Sequence, residues 1–343
     1  MKRTLYTTVA ATLCALALAS SGCEKKKDEA GGTAAGGGGG GAKGAAAGAA
    51  AAVPSKTGFA VFPGDSQFVV GINLASARSS GLWAKYKDKV EAQMAKEFSE
   101  LREACGIDPI GQVQTIIAAG KPPAGGSGEP DAVVVMKGLQ RSALKTCGEK
   151  MAAKEGKKLT VTEEGNLANY VVDDKNIWAA WLDDSTVVIA PEKDKAYVSA
   201  RAAGESGLAE GSSVMALLKS VDTSAAVYFA LDTAALGPQA AMMQGAKGVF
   251  GSLKLTDGLA IDAGLRFDSP DNAKKMTEMV NQQVGAMKGQ LPPQFKSVVD
   301  KAVIKQVDKD MVVQLSLSGA ELEQLAQALE GMKGMLGGGM GGL

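Results

Sequence analysis

Leu259-Ala260-Ile261-Asp262-Ala263-Gly264-Leu265-Arg266-Phe267 alternates without a break. Leu259, Ile261, Ala263, Leu265 and Phe267 project to one side of an extended chain, and Ala260, Asp262, Gly264, Arg266 and Asp268 to the other. A period of two over that length is a strand with one apolar face and one largely polar face. Such strands belong to antiparallel sheets covered on one face by helices, so the expected fold class is α+β.

The residues that follow supply the cover. Ser269-Pro270-Asp271 puts a cap residue before a proline at the first helical position, and Ala273, Met276, Val280, Val284 and Met287 then recur at helical spacing. Ser318-Gly319-Ala320-Glu321 is a capping box ahead of Leu322, Leu325, Leu329 and Met332. Upstream, Leu82, Trp83, Tyr86, Val90, Met94, Phe98 and Leu101 define a long amphipathic helix over residues 81–104. Strand patterns recur over residues 67–74, 113–119, 132–137, 168–172, 177–182, 187–190, 225–231, 249–256, 302–307 and 312–317.

The order of these elements repeats. Residues 68–73 followed by a helix resemble residues 227–232 followed by a helix, and each is succeeded by strand, strand, helix, strand, strand, helix. The body is therefore expected as two similar α+β halves, residues 57–220 and 221–333, by duplication or by two similar packing solutions. Residues 334–343 are Gly and Met with nothing to pack, and are expected to form a disordered tail.

Composition narrows the chemistry. The 343 residues hold no His, which removes the commonest general base, the Ser-His-Asp and Cys-His arrangements and every His-ligated metal or haem. Lys plus Arg number 37 and Asp plus Glu 37, so there is no basic footprint for nucleic acid. No cofactor and no metal site is expected.

Lys2 and Arg3 precede an uncharged, Leu-, Ala- and Val-rich run over residues 5–19. That is an export signal, too short to remain as a membrane span of roughly 20 apolar residues. Ser20-Ser21-Gly22-Cys23 resembles the lipobox of bacterial lipoproteins, in which the cysteine is acylated and becomes the new N-terminus. The resemblance covers residues 1–23 and implies a signal peptide over 1–22 and lipidation of Cys23. Glu24 at the following position implies, for a Gram-negative host, sorting to the outer membrane, on its periplasmic or surface face. Ala17-Leu18-Ala19 also fits ordinary signal-peptide cleavage, which would release the protein with Cys23 near its end. Residues 23–56, a charged cluster followed by Gly and Ala, are expected to be a disordered tether reaching roughly 30 Å root-mean-square.

Cys105 and Cys147 are the cysteines outside the signal and anchor, and in an oxidising compartment they are expected to pair as a disulfide, the alternative being two separate small apolar side chains. Ser142-Ala143-Leu144-Lys145 matches S-x-x-K, and Lys56-Thr57-Gly58 matches K-T-G, but their order is reversed relative to penicillin-binding enzymes and Lys145 is better placed as a solvated helix residue. Asp173-Asp174, Asp183-Asp184 and the Asp308/Asp310 pair sit in expected turns, where Asp satisfies the backbone. Trp178 and Trp181, three apart on one strand, must point to opposite faces. Met242, Met243, Met276, Met279 and Met287, with small residues around the first two, fit either a core poor in aromatics or a groove for apolar ligands.

These observations lead to a membrane-anchored envelope lipoprotein with a non-catalytic binding or structural role, attached through its N-terminal lipid and partnered by an envelope protein or an apolar ligand. A carrier of lipid or another apolar molecule is the alternative. A carboxylate-based hydrolase, with its acids brought together from distant turns, is the second.

Overall fold

The computed structural model describes residues 58–123, 130–172, 175–191, 193–235 and 245–337. Cys23 and its flanking segments, Asp173-Asp174, Met242 and Met243 lie outside them. Among the described residues the strands are β1 (Phe68–Asn73), β2 (Thr115–Lys121), β3 (Asp131–Lys137), β4 (Leu159–Glu164), β5 (Leu167–Val172), β6 (Lys175–Asp183), β7 (Thr186–Ile189), β8 (Val227–Asp232), β9 (Ala246–Leu255), β10 (Gly258–Phe267), β11 (Val303–Val307) and β12 (Asp310–Ser318). The helices are α1 (Leu74–Arg78), α2 (Gly81–Cys105), α3 (Pro109–Gln112), α4 (Arg141–Lys154), α5 (Lys195–Ala203), α6 (Ser213–Leu218), α7 (Pro270–Lys288), α8 (Pro293–Lys301) and α9 (Gly319–Gly337). Residues 334–337, expected in the tail, thus continue the last helix.

The α+β expectation holds, in the form of a single sheet of 12 strands in the order β11-β12-β10-β9-β8-β1-β2-β3-β7-β6-β5-β4. Every neighbouring pair is antiparallel. At the centre β1 pairs with β8, Val70 opposite Phe229. Outward from that pair the order is the same in both directions: the next two strands of the half, then its last strand, then its penultimate one. The β5–β4 hairpin is added beyond β6 on one side only.

Cover on one face describes β10 and its outer neighbours but not the first half, and this corrects the sequence expectation. Val61, Phe62, Ile117, Ala119, Val133, Val135, Val198 and Leu217 form one buried cluster, and Ile116, Ala118, Val134, Met136, Cys147 and Met151 form a second. Alternate residues of β2 and β3 fall in different clusters, so helices α5 and α6 lie on one side of these strands and α2 and α4 on the other. The physical cause is visible in Ile116-Ile117-Ala118-Ala119 and Val133-Val134-Val135-Met136, which are apolar throughout, the pattern of a strand buried on both faces.

In the second half the alternation of β10 keeps its meaning. Phe267 is buried, and Gln306, which shares the Leu265 side of the sheet through Met311, donates to the Pro270 carbonyl at the start of α7 (3.0 Å). On the opposite side Val303 and Val307 of the edge strand β11 are 51% and 50% exposed.

Two local expectations are realised closely. Ser269 accepts a hydrogen bond from Asn272 N to start α7, and Glu321 accepts from Ser318 N at 2.9 Å while Ser318 Oγ caps Glu321 N. Cys105, the last residue of α2, is bonded to Cys147 of α4, with Cα atoms 4.7 Å apart. Strand β4 was not expected from the sequence. It is an outer edge whose Leu-Thr-Val-Thr-Glu-Glu run is polar enough to stay unpaired on its far side, and the same polarity hides it from a hydrophobic pattern.

Candidate functional site

Asp194 begins α5 by accepting a hydrogen bond from Tyr197 N (2.8 Å), and Gly204, with φ of 75°, ends it. Val198 and Ala202 face the core, while Tyr197 and Arg201, four apart, stand together along the helix. Arg201 is only 6% exposed. Its Nη1 donates to Ser206 O at 3.2 Å and Phe62 O at 3.4 Å, and its Nη2 donates to Glu205 O. These bonds tie the turn after α5 to the segment before β1, where Pro63 and Gly207 form an isolated antiparallel bridge. Arg201 Nε is buried with no partner among the described residues.

A cleft of about 380 Å³ opens beside this guanidinium, at the end of the sheet where β1 begins, β2 ends and β3 begins. Pro63 and Gly64, Tyr197 and Ser206 form its walls. Two ion pairs stand at its rim, Asp65 with Lys121 and Asp131 with Lys193, the second at 3.0 Å. The hydrogen bond from Lys121 holds the Asp65 carboxyl below its ordinary range against the opposing effect of burial, and Arg201 adds to the lowering. Burial pushes the Tyr197 phenol up. The Tyr197 ring centroid lies 5.5 Å from the Arg201 guanidinium carbon and 5.3 Å from Lys193 Nζ.

A second cleft, about 620 Å³, lies between α6 and the ends of β8 and β10, with Leu217, Asp232, Lys247 and Arg266 on its walls. Its arginine has four of its five donors engaged, two of them by a carboxylate. Arg266 pairs with both Asp310 oxygens at 2.8 Å, and donates to Ala216 O and Ser220 Oγ.

The residues singled out in the sequence are dispersed. Asp183 accepts from Ser185 in a turn, and Asp310 neutralises Arg266. Ser142 is exposed, and Lys145 lies 3.7 Å from Glu163. Trp181 is buried in one cluster and Trp178 packs, half-buried, on the other, with Lys195 Nζ 5.7 Å from its ring. Met276 is half-buried on α7, Met279 and Met287 are exposed, and none of the three lines either cleft.

Sequence reasoning missed Arg201, Tyr197, Lys121, Asp65 and Asp131, which four separate parts of the chain bring together. One signal was present: Arg201 follows Val198 by three, at a core position of an amphipathic helix.

No protein-family model and no curated protein matches the chain. Among solved structures, crystal form III of TP0453 is similar over 79% of this chain and 97% of its own, with a TM-score of 0.46 and 10% sequence identity. A likeness of that degree assigns no residue of this chain a role.

Proposed function

We propose that this is an exported protein held at a bacterial envelope membrane, the outer one in a Gram-negative cell, by lipid on Cys23, and that its body serves there as a non-catalytic binding module. The observation that supports binding is the cleft beside Arg201, where a buried cation and two ion pairs from four parts of the chain converge on one small space. The observation against carboxylate chemistry is that Asp183 and Asp310, at the strand ends beside two of the acidic turns, are engaged by Ser185 and Arg266. No helix among the described residues is long and apolar enough to cross a membrane.

Mass spectrometry of the mature protein tests the anchor. The N-terminal peptide is expected to begin at Cys23 and to exceed its polypeptide mass by fatty-acyl groups, and Cys23→Ala is expected to leave the protein out of the membrane fraction. A mature terminus at Ser20 with no added mass would refute it.

A further inference from the structure

We propose that the cleft beside Arg201 binds a small monocarboxylate, its carboxylate on the guanidinium and its apolar body against the Tyr197 ring. This rests on the binding role above and names the class of ligand.

An arginine carries five N–H donors in a planar fork. Three carbonyls, Phe62, Ser206 and Glu205, take both Nη1 hydrogens and one from Nη2. The Nε–H and one Nη2–H remain, and among the described residues Nε has no partner despite its burial. Two donors on adjacent nitrogens of a guanidinium match the two oxygens of a carboxylate.

Charge points the same way. Among the described residues no carboxylate lies within ion-pair distance of Arg201, whereas Arg266 in the second cleft is paired to Asp310. At the rim, Lys121 balances Asp65 and Lys193 balances Asp131. Among the described residues one buried positive charge is left over, which a monoanion neutralises. A phosphate dianion would bring a second negative charge toward Asp65 and Asp131 with nothing to balance it. The volume, about 380 Å³, is at the small end of ligand sites. The half-buried Tyr197 ring beside the guanidinium is the side chain that shifts to admit the carboxylate and then flanks the ligand.

The test is a titration of the isotope-labelled full-length protein in detergent micelles with benzoate, following the Arg201 Nε–H resonance by NMR. Benzoate is expected to move that resonance saturably, while benzamide, its neutral counterpart, and inorganic phosphate bind at least tenfold more weakly. Arg201→Lys keeps the charge without the fork and is expected to weaken benzoate at least tenfold. Because that change also removes the carbonyl contacts, Tyr197→Ala is the second variant, expected to bind several-fold more weakly with a native amide spectrum. An Arg201 resonance unmoved by saturating benzoate, or benzamide or phosphate binding as tightly, would overturn the proposal and leave Arg201 as a clamp for the loop. Membrane attachment is read separately, from the mass of the mature protein and the fractionation of the Cys23→Ala protein, so failure here leaves that reading standing.

Discussion

Tyr228 is fully buried on β8, and its ring lies across Gly71 of the neighbouring strand. A Cβ at Gly71 would fall inside the van der Waals envelope of that ring, which is packed too tightly to retreat. Glycine is otherwise a poor strand residue, so Gly71→Ala would ordinarily gain stability by ~0.5–1 kcal/mol. Here overpacking reverses the sign, and urea denaturation is expected to show a loss of about 1–3 kcal/mol. Gly285 on α7 has nothing within reach of a Cβ, so Gly285→Ala is expected to stabilise by ~0.5–1 kcal/mol. The same substitution with opposite signs separates close approach from backbone entropy. At this scale the sequence is least informative. Nothing near Gly71 announces that Tyr228, far along the chain, will cover it, and Arg201 likewise acquires its role only when Phe62 and Ser206 are folded against it. A local pattern records periodicity and capping, whereas these contacts are made by topology.

Caps and cross-links were legible because they depend on residues close in sequence or on a cysteine count. The Ser318–Glu321 box forms as its spacing requires, and it carries a pH dependence. The Glu321 carboxyl is held down at about 2, from an ordinary 4.5, first by Lys301 and then by the Ser318 N–H and hydroxyl. In this window the unfolded chain binds the proton more tightly than the folded one, so stability rises with pH. The contribution is complete above pH 4.5 and is lost as pH falls toward 2. The Glu321–Lys301 pair is only partly buried, so solvent screening keeps the effect small, but urea titrations at pH 5 and pH 2.5 are expected to show a shallower fall for Glu321→Gln than for the wild type. The disulfide joins α2 and α4 across 42 residues. Reduction is expected to cost ~4 kcal/mol by releasing the unfolded chain, and thiol labelling in denaturant is expected to reveal Cys105 and Cys147 only after reduction. Strand β4 shows the limit at this scale. An edge strand that avoids self-association by carrying Thr and Glu gives up the apolar alternation by which strands are recognised.

Across the whole molecule burial is uneven, and stability should follow it. The larger core cluster runs without interruption from Val61 and Phe62 through β1, β2 and β3 to Tyr228 and Phe250, so the β1–β8 seam lies inside the core rather than between two cores. Strands β2, β3 and β7 are buried on both faces. At the far edge β11 is mostly exposed, with Val303 and Val307 half in water on the side away from α7. Regions with few buried apolar contacts open locally at low free energy, and only the doubly covered strands must wait for global unfolding. Hydrogen exchange followed by mass spectrometry is therefore expected to give the slowest amides in β2, β3 and β7, with protection near the global unfolding free energy. Amides of β11 and α8 should exchange orders of magnitude faster, and their rates should change little in mild urea because a local opening exposes little surface. If β11 exchanged as slowly as β2, the second half would be held by the same cooperative unit, and the exposed valines would have to be covered in solution by something other than this chain's described helices.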